Sequence, residues 1–173
     1  MKIINVRRMI FKSFYFGILI VMISCAGSRN SGSVNNYDEL INLVNSREFE
    51  IESEWVNPLG GNRIYITPGS NYIKFQEDKV EIFLPYFGVR HSGGGYGSDG
   101  GINYEGLVKE FKIKEETHKE KLILYFRGNH EGEDLQFYVT LFSSGKANVS
   151  VNSSQRSTIS YQGEIIRPNK DND

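Results

Sequence analysis

The chain has 173 residues, with 20 Lys and Arg against 21 Asp and Glu, and a single cysteine. Residues 1–24 hold four of the basic residues and no acidic one, which leaves 16 basic against 21 acidic residues in the remainder. That acidic balance lacks the basic footprint a nucleic-acid partner requires and gives no electrostatic adhesion to anionic lipid, and one cysteine excludes an intrachain disulfide.

The first segment reads as an export signal. Lys2, Arg7, Arg8 and Lys12 precede an almost wholly apolar run, Phe14 to Ile23. The run is short of the roughly 20 apolar residues a membrane-spanning helix needs, and a basic start with a short apolar core is the pattern of a secretory signal. It ends at Met22-Ile23-Ser24-Cys25, which resembles a bacterial lipobox with Met22 in place of the usual Leu. That resemblance implies cleavage before Cys25 and acylation of its thiol. Two or more acyl chains would hold the protein at a membrane, so the expected partner through this end is lipid. Residues 25–35 are mostly Gly, Ser and Asn and read as a flexible tether. No acidic residue follows Cys25 directly, and by resemblance to surface-exported lipoproteins this favours a periplasm-facing position on the outer membrane.

Residues 36–168 read as one β-rich domain, with 169–173 a polar tail. Tyr37, Leu40, Ile41 and Val44 form one apolar stripe at helical spacing, and Asn36 with Glu39 supplies a capping-box start. The spacing predicts a helix ending near Ser46, of about ten residues and too short to stand alone. The period then changes to two: Phe49, Ile51 and Trp55 face one way, and Glu48, Glu50, Glu52 and Glu54 the other. Ile64 to Ile66 resumes the pattern. Tyr72 to Gln76 and Lys79 to Leu84 form an expected hairpin about Glu77-Asp78. Phe111 to Lys114 alternates, and Leu122 to Phe126 is apolar on both faces, which places it centrally. Leu135 to Phe142 and Ala147 to Val151 form a second hairpin, and Ile159 to Ile166 closes the domain. About nine short strands with one leading helix and no βαβ unit indicate an antiparallel β-sandwich or a partly open barrel.

Three segments carry a likeness: Leu84-Pro85-Tyr86-Phe87-Gly88, the glycine-rich loop containing Tyr96, and Arg156-Ser157-Thr158-Ile159-Ser160-Tyr161-Gln162-Gly163. With the lipobox, they resemble the domain of unknown function 4251 family of Bacteroidetes lipoproteins over roughly Val44 to Ile166. The resemblance implies a β-rich, exported fold and transfers no catalytic residue. Val89 departs from the pattern, which has a polar residue after the glycine.

The glycine loop is the main candidate site. Six of the 18 glycines fall between Gly93 and Gly101, and Gly95-Tyr96-Gly97-Ser98-Asp99-Gly100 is a literal G-x-G-x-x-G. A dinucleotide fingerprint needs a helix next, to set its N-terminus at the phosphates; Ile102-Asn103-Tyr104 reads as a strand instead, so no nucleotide or other cofactor is expected. Consecutive glycines suit a wide turn. Alternatively, Tyr86, Tyr96 and Tyr104 stack on a ligand, with Arg90, His91 and Asp99 beside them. His91 and Asp99 can form a general-base pair, but no nucleophile motif accompanies them. The histidines have no metal-ligand spacing, and His130-Glu131-Gly132-Glu133-Asp134 reads as a charged hairpin turn instead of a calcium loop. Arg156 and Tyr161 are expected to tie the closing segment to the core by hydrogen bonds. The favoured function is therefore non-catalytic: an envelope lipoprotein domain that binds a small molecule, a glycan or an envelope protein. A small envelope hydrolase using His91 and Asp99, and a purely structural subunit of an envelope complex, are the alternatives.

Overall fold

The computed structural model describes residues 34–92 and 100–168. One helix, α1 (Tyr37–Ser46), precedes ten strands: β1 (Glu48–Pro58), β2 (Ile64–Tyr65), β3 (Tyr72–Gln76), β4 (Lys79–Leu84), β5 (Ile102–Leu107), β6 (Lys109–Glu116), β7 (Lys121–His130), β8 (Glu133–Phe142), β9 (Lys146–Ser153) and β10 (Ile159–Ile166). All pair antiparallel in one sheet, in the order β5-β4-β3-β1-β10-β9-β8-β7-β6, with β2 added to β1. The sheet curls until it is nearly closed into a barrel. The barrel form of the sequence reading is the correct one, and the sandwich is not.

The helix forms as its caps require. The Asn36 side chain accepts the Glu39 amide at 2.8 Å, and the Glu39 carboxylate returns to the Asn35 amide at 3.2 Å. Arg47 ends it in the left-handed conformation, φ 56°. Its guanidinium then lies over the Phe111 ring at 4.3 Å and reaches Asp78 at 2.8 Å. Leu40, Leu43 and Val44 are buried. Val34, at the end of the stretch read as tether, is fully buried in the same cluster.

Strand alternation fills the barrel. Phe49, Phe75, Phe126 and Phe137 run through its interior as a continuous aromatic column, with successive ring centroids 4.5, 5.1 and 4.6 Å apart. Phe111 joins it edge-on to Phe75. Packed rings of this kind add specific geometry to a large apolar burial. The seam between the edge strands β5 and β6 is closed by a side chain in place of a hydrogen-bond ladder. The Tyr104 ring lies against Gly128 of β7, where a Cβ would stand 2.9 Å from the ring.

Two sequence expectations change. Trp55 does not share the inner face with Phe49 and Ile51. A bulge between Ser53 and Trp55 shifts the register against β10, so Ser53 and Val56 point inward and Trp55 turns to the outer wall. Gly163 sits opposite, and a side chain there would run into the Glu52 carbonyl. Leu122 to Phe126 is not central: β7 lies one strand from the open edge, and its outer residues Ile123 and Tyr125 are half-buried. Ile159 to Ile166 does close the domain in chain order, as β10, which inserts in the sheet between β1 and β9.

Glu50 and Glu52 do line the outer wall, only partly wet. Burial pushes both carboxyls above their ordinary range, and neighbouring carboxylates add to the rise, Glu52 for Glu50 and Glu164 for Glu52. A carboxyl raised in the folded state favours folding when protonated, and that advantage is lost as pH rises through its folded pKa. Glu52→Gln is therefore expected to be more stable than the parent at pH 7, with the gap closing below about pH 4. Urea denaturation at both pH values reads this directly, and a gap that persists in acid would contradict it.

Candidate functional site

The end of the barrel away from α1 gathers the β4–β5 loop, the β7–β8 turn and the β9–β10 connection. The loop's base is strapped to that connection. Ser157 donates its amide to Val89 O at 2.9 Å, and His91 donates its amide to Gln155 O at 2.7 Å. Between them Arg90 and Arg156 face each other as an antiparallel bridge. The Tyr86 hydroxyl lies between two carbonyls, Val89 O at 2.8 Å and Ser157 O at 3.0 Å. Tyr161 is fully buried and donates to Pro85 O at 2.8 Å. Its burial pushes the phenol far above its ordinary range. Gly88 is required locally, because a Cβ there would displace the Tyr86 hydroxyl.

Beneath the strap lies an ion pair. The Glu133 side chain is 5 % exposed and that of Arg156 is 8 %. Arg156 Nη2 donates to Glu133 Oε2 at 3.0 Å. Nε stands 2.8 Å from Oε1 but off the line of a hydrogen bond, so it contributes charge alone. Nη1 donates to Gly101 O at 2.6 Å, at the far end of the loop. Ser153 donates its hydroxyl to Glu133 Oε1 and accepts the amides of Gln155 and Arg156 at 2.9 and 3.1 Å. Arg90 Nη2 approaches the same carboxylate at 3.6 Å and donates to Gln155 Oε1 at 3.1 Å. The Arg156 guanidinium also lies 5.2 Å from the centre of the Tyr86 ring.

Of the expected site residues, Tyr86, Arg90 and His91 come together here. His91 is exposed, with Nε2 3.0 Å from Ser157 Oγ. Tyr104 lies apart at the seam, 7 % exposed, donating to Leu107 O at 2.8 Å. Burial raises its phenol. It borders an outer depression of about 270 Å³ with Phe83, Asn103 and His130. Tyr96 and Asp99 lie outside the described residues, as does Cys25. Among the described residues, no three His, Cys, Asp or Glu side chains gather as metal ligands.

The sequence reading missed Glu133 by assigning it to a charged turn. The turn is only Glu131-Gly132, both at positive φ (50° and 81°). Glu133 belongs to β8 and shares the inward parity of Leu135 and Phe137. A carboxylate on an otherwise apolar parity was the available signal. Arg156 and Tyr161 anchor the closing segment as expected.

With this geometry established, the family model for a domain of unknown function, DUF4251, matches residues 32–165. The chain belongs to the DUF4251 family. Among solved structures, it is similar to a DUF4251 family protein from Bacteroides eggerthii, with a TM-score of 0.60 and 18 % identity over 79 % of this chain and 90 % of that one. At that identity the likeness speaks to the fold, and it supports the DUF4251 barrel. No curated protein matches the chain.

Breaking a buried ion pair from one side leaves the other charge stranded, at a cost of about 3–5 kcal/mol. Glu133→Leu and Arg156→Met are each expected to destabilise by about that much, and the double variant by less than the sum. Denaturant titrations of the three variants form the cycle. Single losses under about 1 kcal/mol, the range of exposed pairs, would show that the pair carries no weight.

Proposed function

We propose that the protein is a non-catalytic lipoprotein of the cell envelope, held to the outer membrane on its periplasmic side through Cys25. Its strapped loop would serve as a surface for an envelope partner. The observation that carries the reading is the division of labour in segment 85–92. Its polar groups, on Tyr86, Arg90 and His91, are engaged in bonds within the molecule. Phe87 and Val89, by contrast, are 47 % and 63 % exposed. Large apolar side chains held outward on a fixed backbone suit recognition of another surface. The lipid anchor rests on the Met22-Ile23-Ser24-Cys25 sequence.

Cys25→Ala is expected to abolish acyl labelling and membrane attachment; retention of both would refute the lipoprotein reading. A photo-crosslinking residue at Val89 is expected to give a discrete adduct in intact cells. One at His118, in the exposed β6–β7 turn, is expected to give none. Equal labelling at the two positions would count against the recognition surface.

A second reading, hydrolysis, is favoured by the 3.0 Å approach of His91 Nε2 to Ser157 Oγ, a base beside a hydroxyl nucleophile. His91→Ala separates the readings. A hydrolase loses roughly 10² or more of its turnover of an ester or amide substrate, whereas the recognition surface keeps its crosslink.

A further inference from the structure

The bulge that turns Trp55 outward creates a second feature, remote in the sheet from the ion pair. A groove of about 300 Å³ opens on the barrel's outer wall, lined by Glu54, Trp55, Arg63, Lys146, Asn148 and Gln162. That volume is at the lower end of small-ligand sites. The register explains its shape. Trp55 pairs with Tyr65 on one side and Gln162 on the other, Gln162 with Asn148, and Asn148 with Thr140. Five outward side chains from five strands thus form one row, with strands about 4.8 Å apart.

The chemistry of the row is specific. Tyr65 is 59 % exposed and meets Trp55 edge-on at 5.0 Å, so two rings form one end. The amides of Gln162 and Asn148 have no hydrogen-bond partner within the described residues. Arg63 is exposed and lies over the indole at 4.1 Å, with no carboxylate paired to it among the described residues. Lys146 is held by Glu164 at 2.5 Å, and Glu54 feels the same cation at longer range, with no ion pair of its own among the described residues. Glu164, just outside the lining, offsets Lys146, and Glu54 offsets Arg63, so the groove with its rim carries no formal net charge.

We propose that this groove binds a neutral saccharide. A sugar presents an apolar ring face, which rests on the exposed Tyr65 ring beside Trp55, and a rim of hydroxyls that both donate and accept. Unpartnered amides match such hydroxyls, because each amide also does both. The unpaired Glu54 carboxylate accepts from hydroxyls, and Arg63 donates to them. A fatty acid would leave these polar groups unpaired, and an anionic ligand would face Glu54.

Trp55 is the chain's only tryptophan, so its fluorescence reports on this groove alone. The full chain, in a detergent without a sugar head group, is titrated with maltotetraose, cellotetraose, mannotetraose and chitotetraose. At least one is expected to give a saturable change in Trp55 emission. The Gln162→Ala/Asn148→Ala variant is expected to bind about tenfold or more weakly with its thermal midpoint within about a degree of the parent. Phe87→Ser/Val89→Ser is expected to titrate like the parent, which keeps this site distinct from the loop surface. No emission change with any neutral sugar, a response to oligouronates or acidic peptides alone, or full binding by the amide variant would each overturn the proposal.

Discussion

Glu133 and Arg156 are joined where little water reaches either, and the end of the barrel away from α1 is arranged around that fact. A carboxylate in an apolar wall must be neutralised and its lone pairs filled. Arg156 and Ser153 do this, with Arg90 adding charge from 3.6 Å. The consequence reaches beyond the pair. Once the guanidinium is fixed by Glu133, its remaining arm fixes Gly101, and its backbone fixes Arg90 across the bridge. One buried charge therefore positions both ends of a loop that begins and finishes on different strands. Tyr161 and Tyr86 complete the arrangement by filling carbonyls that the strap would otherwise leave bare.

The rest of the barrel relies on packing. Its interior, among the described residues, is packed with phenylalanine rings from β1, β3, β7 and β8. The outer surface is left to differentiate. One part is acidic and partly desolvated, about Glu50 and Glu52. Another is the aromatic and amide row beginning at Tyr65 and Trp55. The sheet's twist and the near-closure at Tyr104 keep both on one continuous wall.

Much of this was legible in the chain. The Asn36 and Glu39 cap, the two hairpins and the ties made by Arg156 and Tyr161 follow from local patterns, and the structure contains them. Trp55 was misplaced because alternation carries no marker for a single extra residue; Phe49, Ile51 and Trp55 keep perfect parity in sequence and lose it at the bulge. Leu122 to Phe126 was placed centrally because an apolar run signals burial on both faces. Ile123 and Tyr125 are instead covered only partly, Tyr125 by Tyr138 across the strand. Glu133 was hidden by its neighbours, since Glu131 and Gly132 directly before it do form a turn and the acidic Asp134 follows it. Pairings between segments 20 to 70 residues apart, such as Arg156 with Glu133 and with Gly101, have no local signal.

The double hold on the β4–β5 loop separates architecture from variation. Its two stems, at His91 and Gly101, are each bonded to the β9–β10 connection. The span to be bridged is thus constant whatever sequence bridges it. In that sense the β9–β10 connection acts as a socket, which seats both stems of a loop from the other side of the sheet.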